Sequence, residues 1–87
     1  MRINIKDAAG KIITLDCNDS LTVNNLMETY KESIGNKNKV IRSFTALYNG
    51  EMLSDEEKKK TLKELEIEDD EQIVISILYN GGKNFFN

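Results

Sequence analysis

The sequence predicts an α+β fold: a mixed four- to five-stranded sheet packed on one main helix, with a short helical turn beside it. Three patterns carry that expectation. Apolar and polar residues alternate over Met1–Lys6 and again over Lys11–Cys17, the period of half-buried strands. An apolar stripe at helical spacing follows, and its width suits a helix lying on a sheet. Later, Ile73, Ile75 and Ile77 share one face of a run whose other face holds Val74 and Leu78, as in a strand covered on both sides.

Asp7-Ala8-Ala9-Gly10 reads as a turn with glycine at its last position, so the first two strands form an N-terminal hairpin. Asn18-Asp19-Ser20 is loop chemistry. Thr22 is placed to cap the helix, and Val23, Leu26, Met27, Tyr30 and Ile34 form one stripe that faces a core more readily than a cofactor. Gly35 stands where a left-handed C-terminal cap belongs. After the polar loop Asn36–Lys39, the run Val40–Tyr48 is a third strand. Asn49-Gly50 is the strongest short hairpin signal in the chain, and Glu51-Met52-Leu53 the brief strand behind it.

Ser54–Lys60 sets Glu56-Glu57 against Lys58-Lys59-Lys60 and is expected to be a solvated, self-neutralising turn rather than a nucleic-acid patch. Thr61–Ile67 is the short helical turn, burying Leu62 and Ile67. Gln72–Tyr79 closes the pattern as a central strand. It has room to run parallel to the first because a long connection separates them.

With 87 residues the chain is expected to hold one small domain, too small for a deep catalytic cleft. Hydrophobic residues at 39% and charged residues at 31% are a soluble globular mix. A net charge of −3 argues against general nucleic-acid or anionic-membrane binding. No apolar stretch reaches membrane-span length, and Met1-Arg2-Ile3-Asn4-Ile5 does not read as a signal peptide. Cys17 is the only cysteine, which rules out an internal disulfide and fits a reducing compartment, cytoplasm or nucleus. In phase with Ile13 and Leu15, it is expected to be a small buried core residue. A nucleophilic role needs a base, and the chain has no histidine. The acidic run Glu68–Glu71 lacks calcium-loop spacing. The expectation is therefore no catalytic residue, no metal ligand, no bound cofactor and no enzymatic activity.

Gly81-Gly82 follows the last strand directly. Two residues without Cβ atoms can enter a channel too narrow for any others, which suits a tail that another protein threads and acts upon. The plain alternative is an ordinary turn or terminus.

Met1, Ile3, Lys6, Gly10, Lys11, Ile13, Thr14 and Leu15 recur without a gap in ubiquitin. Thr22, Asn25, Gly35, Gly50, Leu53, Asp55, Thr61, Leu62, Ile67 and the pair Gly81-Gly82 recur after them. On those residues, and on the common order of elements, the chain resembles the ubiquitin-like modifiers, the β-grasp family, over residues 1–82. The resemblance implies a β-grasp domain with its tail strand over residues 1–80, a conjugation tail at 81–82, and an extension at 83–87 removed by proteolysis between Gly82 and Lys83. A competing reading keeps the extension as a peptide whose Phe85 and Phe86 dock into a partner.

By the same resemblance, the Gly82 carboxylate would be adenylated by an activating enzyme using ATP. It would then pass as a thioester to a conjugating enzyme and end on a lysine amine of a target protein, with Gly81 providing clearance. The implied partners are those enzymes, a processing protease, target lysines and receptors for ubiquitin-like domains, with the chain itself a monomer. The sequence departs from ubiquitin at Leu78 and Asn80, where ubiquitin carries arginines, so a dedicated activating enzyme is expected. The segment Ser54–Lys60 is also about three residues longer, a place for private contacts.

The outer sheet face is expected to present Leu47, Val74 and Leu78, with Ala8, as a partner-binding surface. Lys6 and Lys11 remain as chain-acceptor lysines, whereas Glu51 and Asp69 replace the lysines used most in ubiquitin. The alternative function is a docking module of the same fold that is never conjugated. A sulfur carrier is a third possibility, disfavoured by the residues that follow Gly82.

Overall fold

The computed structural model describes residues 1–80. In chain order its elements are β1 (Arg2–Lys6), β2 (Ile12–Asp16), α1 (Val23–Ser33), β3 (Ile41–Tyr48), β4 (Glu51–Met52), α2 (Asp55–Lys58) and β5 (Gln72–Tyr79). The strands form one sheet in the order β2-β1-β5-β3-β4. β1 and β2 are antiparallel, with Arg2 opposite Asp16 and Lys6 opposite Ile12. β5 lies between β1, to which it is parallel, and β3, to which it is antiparallel. The sheet is therefore mixed, and the strand with two apolar faces is central, as its pattern predicts.

Strand alternation sorts the residues. Ile3, Ile5, Leu15, Ala46, Ile73 and Ile75 point inward and meet Val23, Leu26, Met27 and Tyr30 of α1 in a single core. Leu53, Leu62 and Ile67 close its rim. Each fully buried leucine or isoleucine contributes about 1.5–3 kcal/mol relative to exposure.

Local chemistry fixes where elements stop. The Thr22 hydroxyl accepts from the Asn25 amide at 3.1 Å, capping α1. At the other end the Gly35 amide donates to Glu32 and the Asn36 amide to Lys31. These two reversed bonds require the left-handed φ of +84° that Gly35 adopts. Asn49 and Gly50 both have positive φ, 53° and 77°, and close the β3–β4 hairpin with Tyr48 opposite Glu51.

Three expectations need refinement. Ser54–Lys60 is largely exposed, as a solvated turn would be, but it is ordered as the helical turn α2. Ser54 Oγ accepts from the Glu57 amide at 3.1 Å while the Glu57 carboxylate accepts from the Ser54 amide at 2.8 Å. Lys58 is drawn inward: its ammonium donates to the Phe44 carbonyl and lies 4.4 Å from the centre of the Phe44 ring. Both lysines also pair with acids of the segment, the inward Lys58 with Asp55 at 3.6 Å and the exposed Lys59 with Glu56 at 3.5 Å.

Cys17 is half-buried and packs against the core from its margin, rather than lying fully buried within it. β2 is the sheet edge and ends at Asp16; beyond it the chain bonds back to Met1, with the Cys17 amide donating to the Met1 carbonyl and the terminal ammonium to the Cys17 carbonyl. Finally, Leu53 lies past the end of β4 and turns into the core, its amide donating to Ala46.

Candidate functional site

The outer face of the sheet carries one row of side chains that crosses all five strands. Ile12 lies opposite Lys6, Lys6 opposite Val74, Val74 opposite Leu47, and Leu47 opposite Met52. Leu47, Val74 and Lys6 are half-buried, whereas Ile12 and Met52 are 52% and 64% exposed at the two ends. A lysine stem bracketed by apolar neighbours covers apolar surface while its ammonium stays in water. The row is thus a nearly continuous apolar band with one positive charge.

The residues anticipated from sequence divide between places. Leu47 and Val74 are direct cross-strand partners in the row. Leu78 is on the same face opposite Ser43, separated from Val74 by the polar pair Ser76–Thr45 and by about 13 Å of strand. Ala8 is exposed in the β1–β2 turn, where it lines a cleft with Ala9, Tyr30, Ile34, Ile77 and Tyr79. Lys6 sits within the row, and Lys11 is exposed beside the turn. Gly81, Gly82 and Lys83 lie outside the described residues.

Ile12 and Met52 are missing from the outer surface expected from sequence, although for Met52 the signal is present. A two-residue Asn49-Gly50 turn pairs Tyr48 with Glu51, and so Leu47 with Met52.

The acidic run before β5 serves the backbone. Asp69 accepts from the Arg2 amide at 2.7 Å, and Glu71 from the Glu68 amide at 3.0 Å and from the Tyr48 hydroxyl. Those bonds, the Glu68 amide first, hold the Glu71 carboxyl below its ordinary range. The same contact, with burial, pushes the Tyr48 phenol up to about 12. Among the described residues no group of histidine, cysteine or carboxylate side chains is arranged to hold a metal ion.

Cys17 has its thiol raised by burial, an effect the terminal ammonium only partly opposes, so it is a poor nucleophile at neutral pH. Lys31 is buried in α1 but fully engaged, with the Lys39 carbonyl at 2.7 Å and the Glu28 carboxylate at 2.8 Å. Among the described residues no helix is long and apolar enough to cross a membrane.

A hairpin, a helix across the sheet, a second hairpin and a central last strand parallel to the first define a ubiquitin-like domain of the β-grasp class. The chain belongs to the ubiquitin-2-like family of Rad60 SUMO-like domains, whose sequence profile matches residues 1–77. No curated protein matches the chain.

Proposed function

We propose that the chain is a ubiquitin-like protein modifier, trimmed between Gly82 and Lys83 and joined through the Gly82 carboxylate to lysine amines of target proteins. The observation that supports this reading is positional. The family domain and β5 end at Ile77 and Tyr79, and the pair without side chains follows after one residue, Asn80. A carboxylate on a residue without a side chain can approach an enzyme's buried cysteine with no Cβ in the way. The domain supplies recognition and no catalytic group. ATP and the acyl-transferring cysteines belong to dedicated activating and conjugating enzymes, in the cytoplasm or nucleus.

The test is to incubate the full chain with extract of its source cells and ATP and to follow its intact mass. Loss of residues 83–87, a thioester that thiols cleave, and amine-linked species absent from Gly82→Ala are the expected results. An unchanged mass without adducts overturns the proposal.

A second reading, a docking module that is never conjugated, is favoured by the row Ile12, Lys6, Val74, Leu47 and Met52. Under it, a double exchange Leu47→Glu and Met52→Glu abolishes partner binding, whereas deletion of residues 81–87 leaves it unchanged.

A further inference from the structure

β1 leaves β5 at Lys6, opposite Val74, whereas β3 accompanies β5 as far as Tyr79, opposite Ile41. Beyond Val74 the β1 side of β5 is therefore an open edge among the described residues. The inward face of the strand continues past that point, with Ile77 and Tyr79 in phase with the buried Ile73 and Ile75. Where β1 turns away, the core is uncovered from the side. A cleft of about 250 Å³ opens there, between the β1–β2 turn and the end of α1, with Ala8, Ile34, Ile77 and Tyr79 among its walls.

Small-molecule sites usually enclose about 300–1,000 Å³. An apolar cavity of about 150 Å³ already accommodates benzene. The cleft falls between the two and has room for one long side chain. Two polar groups in its lining lack partners. Tyr30 is 4% exposed, yet its hydroxyl forms no hydrogen bond among the described residues, and buried polar groups are rarely left so. Asp7 Oδ1 accepts from the amides of Ala9 and Lys11, both at 2.9 Å, whereas its Oδ2 has no partner among the described residues. The Tyr30 phenol is raised by burial first and then by the charges of Asp7 and Tyr79, which sets the three groups close together about the cleft.

Among the described residues Asp7 is the only charged side chain in the lining, so the cleft carries one negative charge. Tyr79 is a fixed wall: the Asn36 amide donates to its hydroxyl at 3.3 Å, and the Lys39 ammonium lies 5.3 Å from its ring centre. An apolar occupant would fill the walls but leave Asp7 and Tyr30 unsatisfied, and an acidic one would meet Asp7. The ammonium of a lysine is compact and strongly hydrated. A guanidinium is planar, more weakly hydrated and carries five donors, so it can serve a carboxylate and a phenol oxygen together. The methylenes of an arginine meanwhile lie along apolar surface.

We propose that the cleft is a docking site for an arginine side chain of a partner protein, its stem against Ile34 and Ile77 and its guanidinium between Asp7 Oδ2 and the Tyr30 hydroxyl. The site shares no residue with the row Ile12, Lys6, Val74, Leu47 and Met52. It therefore anchors a partner from the edge of the sheet independently of the outer face, whether or not the chain is conjugated.

Titration of the full chain with N-acetylarginine amide, followed by NMR, tests this. The methyl groups of Ala8, Ile34 and Ile77 are expected to shift saturably, with a Kd on the order of 1 mM for so small a ligand. Asp7→Asn keeps an acceptor for the Ala9 and Lys11 amides but removes the charge, and Tyr30→Phe removes only the hydroxyl. Each is expected to weaken binding about tenfold, as is exchange of the ligand for N-acetylnorleucine amide, which has an apolar stem and no charge. Equal binding of the two ligands overturns the proposal, because the cleft then reads only the stem. Absence of a saturable shift up to about 20 mM overturns it too, as does binding that either replacement leaves unchanged. Cross-relaxation in the free chain between the Tyr30 ring and protons of residues 81–87 also overturns it, because the occupant is then the chain's own end.

Discussion

The hydroxyl of Tyr48, in β3, donates to the carboxylate of Glu71, the residue that enters β5. The bond ties the second hairpin to the central strand, and each partner shifts the other in the expected direction. The fold favours the neutral phenol, so this contribution is whole below about pH 10, where the unfolded phenol titrates. It is lost as pH rises through about 12. Glu71 behaves oppositely: its contribution is present above the ordinary carboxylate range and disappears as pH falls through its lowered value. Site-resolved tyrosine NMR should place the Tyr48 titration far above that of the denatured chain, and Glu71→Gln should bring it down. Tyr48→Phe should cost about 1 kcal/mol at neutral pH in urea unfolding.

Two reciprocal caps hold the segment between β4 and β5. Ser54 and Glu57 form one, and Thr61 and Glu64 repeat it, with bonds of 3.0 and 2.9 Å. Each glutamate is held low by its cap. Ser54→Ala and Thr61→Ala should each lower stability by about 1 kcal/mol, measured as a shift of the urea midpoint. If neither shifts it, the caps do not organise this segment.

Lys58 should resist replacement although it is a lysine in a charged run. Its ammonium bonds the Phe44 carbonyl and lies over the Phe44 ring. Lys58→Ala should destabilise by about 1 kcal/mol, more than Lys59→Ala at the exposed neighbouring pair. Equal effects in thermal melts count against an inward role for Lys58.

Leu26 is fully buried where α1 meets the sheet. Leu26→Ala should cost about 3 kcal/mol, since the rigid strands beneath close the cavity only in part. A loss below 1 kcal/mol would mean that the helix resettles on the sheet.

Cys17 should alkylate with iodoacetamide at pH 7 more slowly than a cysteine in a short peptide, because burial raises its thiol. Addition of urea should restore the peptide rate. A fast reaction in the folded protein contradicts the assigned burial.

The sequence made legible whatever depends on period and turn chemistry. The stripe of Val23, Leu26, Met27 and Tyr30 is the buried face of α1, and the two-faced apolar run is the central strand. In Ser54–Lys60 the charge pattern conveys the exposure and the ion pairs, whereas the helical turn is carried by the cap signature Ser54-Asp55-Glu56-Glu57, which is equally visible in the sequence. Cys17 was placed by extending the β2 alternation one residue past the point where the edge strand ends.

The outer row was half legible. Leu47 and Val74 are apolar at solvent-facing positions, but joining them to Ile12 and Met52 needs the register across five strands. The open edge of β5 was not legible at all, since it depends on where β1 parts from its neighbour.

The position of β5 also bears on biosynthesis. The strand that joins the two halves of the sheet is the last described element to leave the ribosome. Until Gln72–Tyr79 emerges, β1–β2 and β3–β4 are two hairpins with no common partner, and α1 has an incomplete surface to lie on. The nascent chain must therefore hold Ile3, Ile5, Leu26 and Leu62 without a finished core, and folding waits for contacts between residues some seventy positions apart.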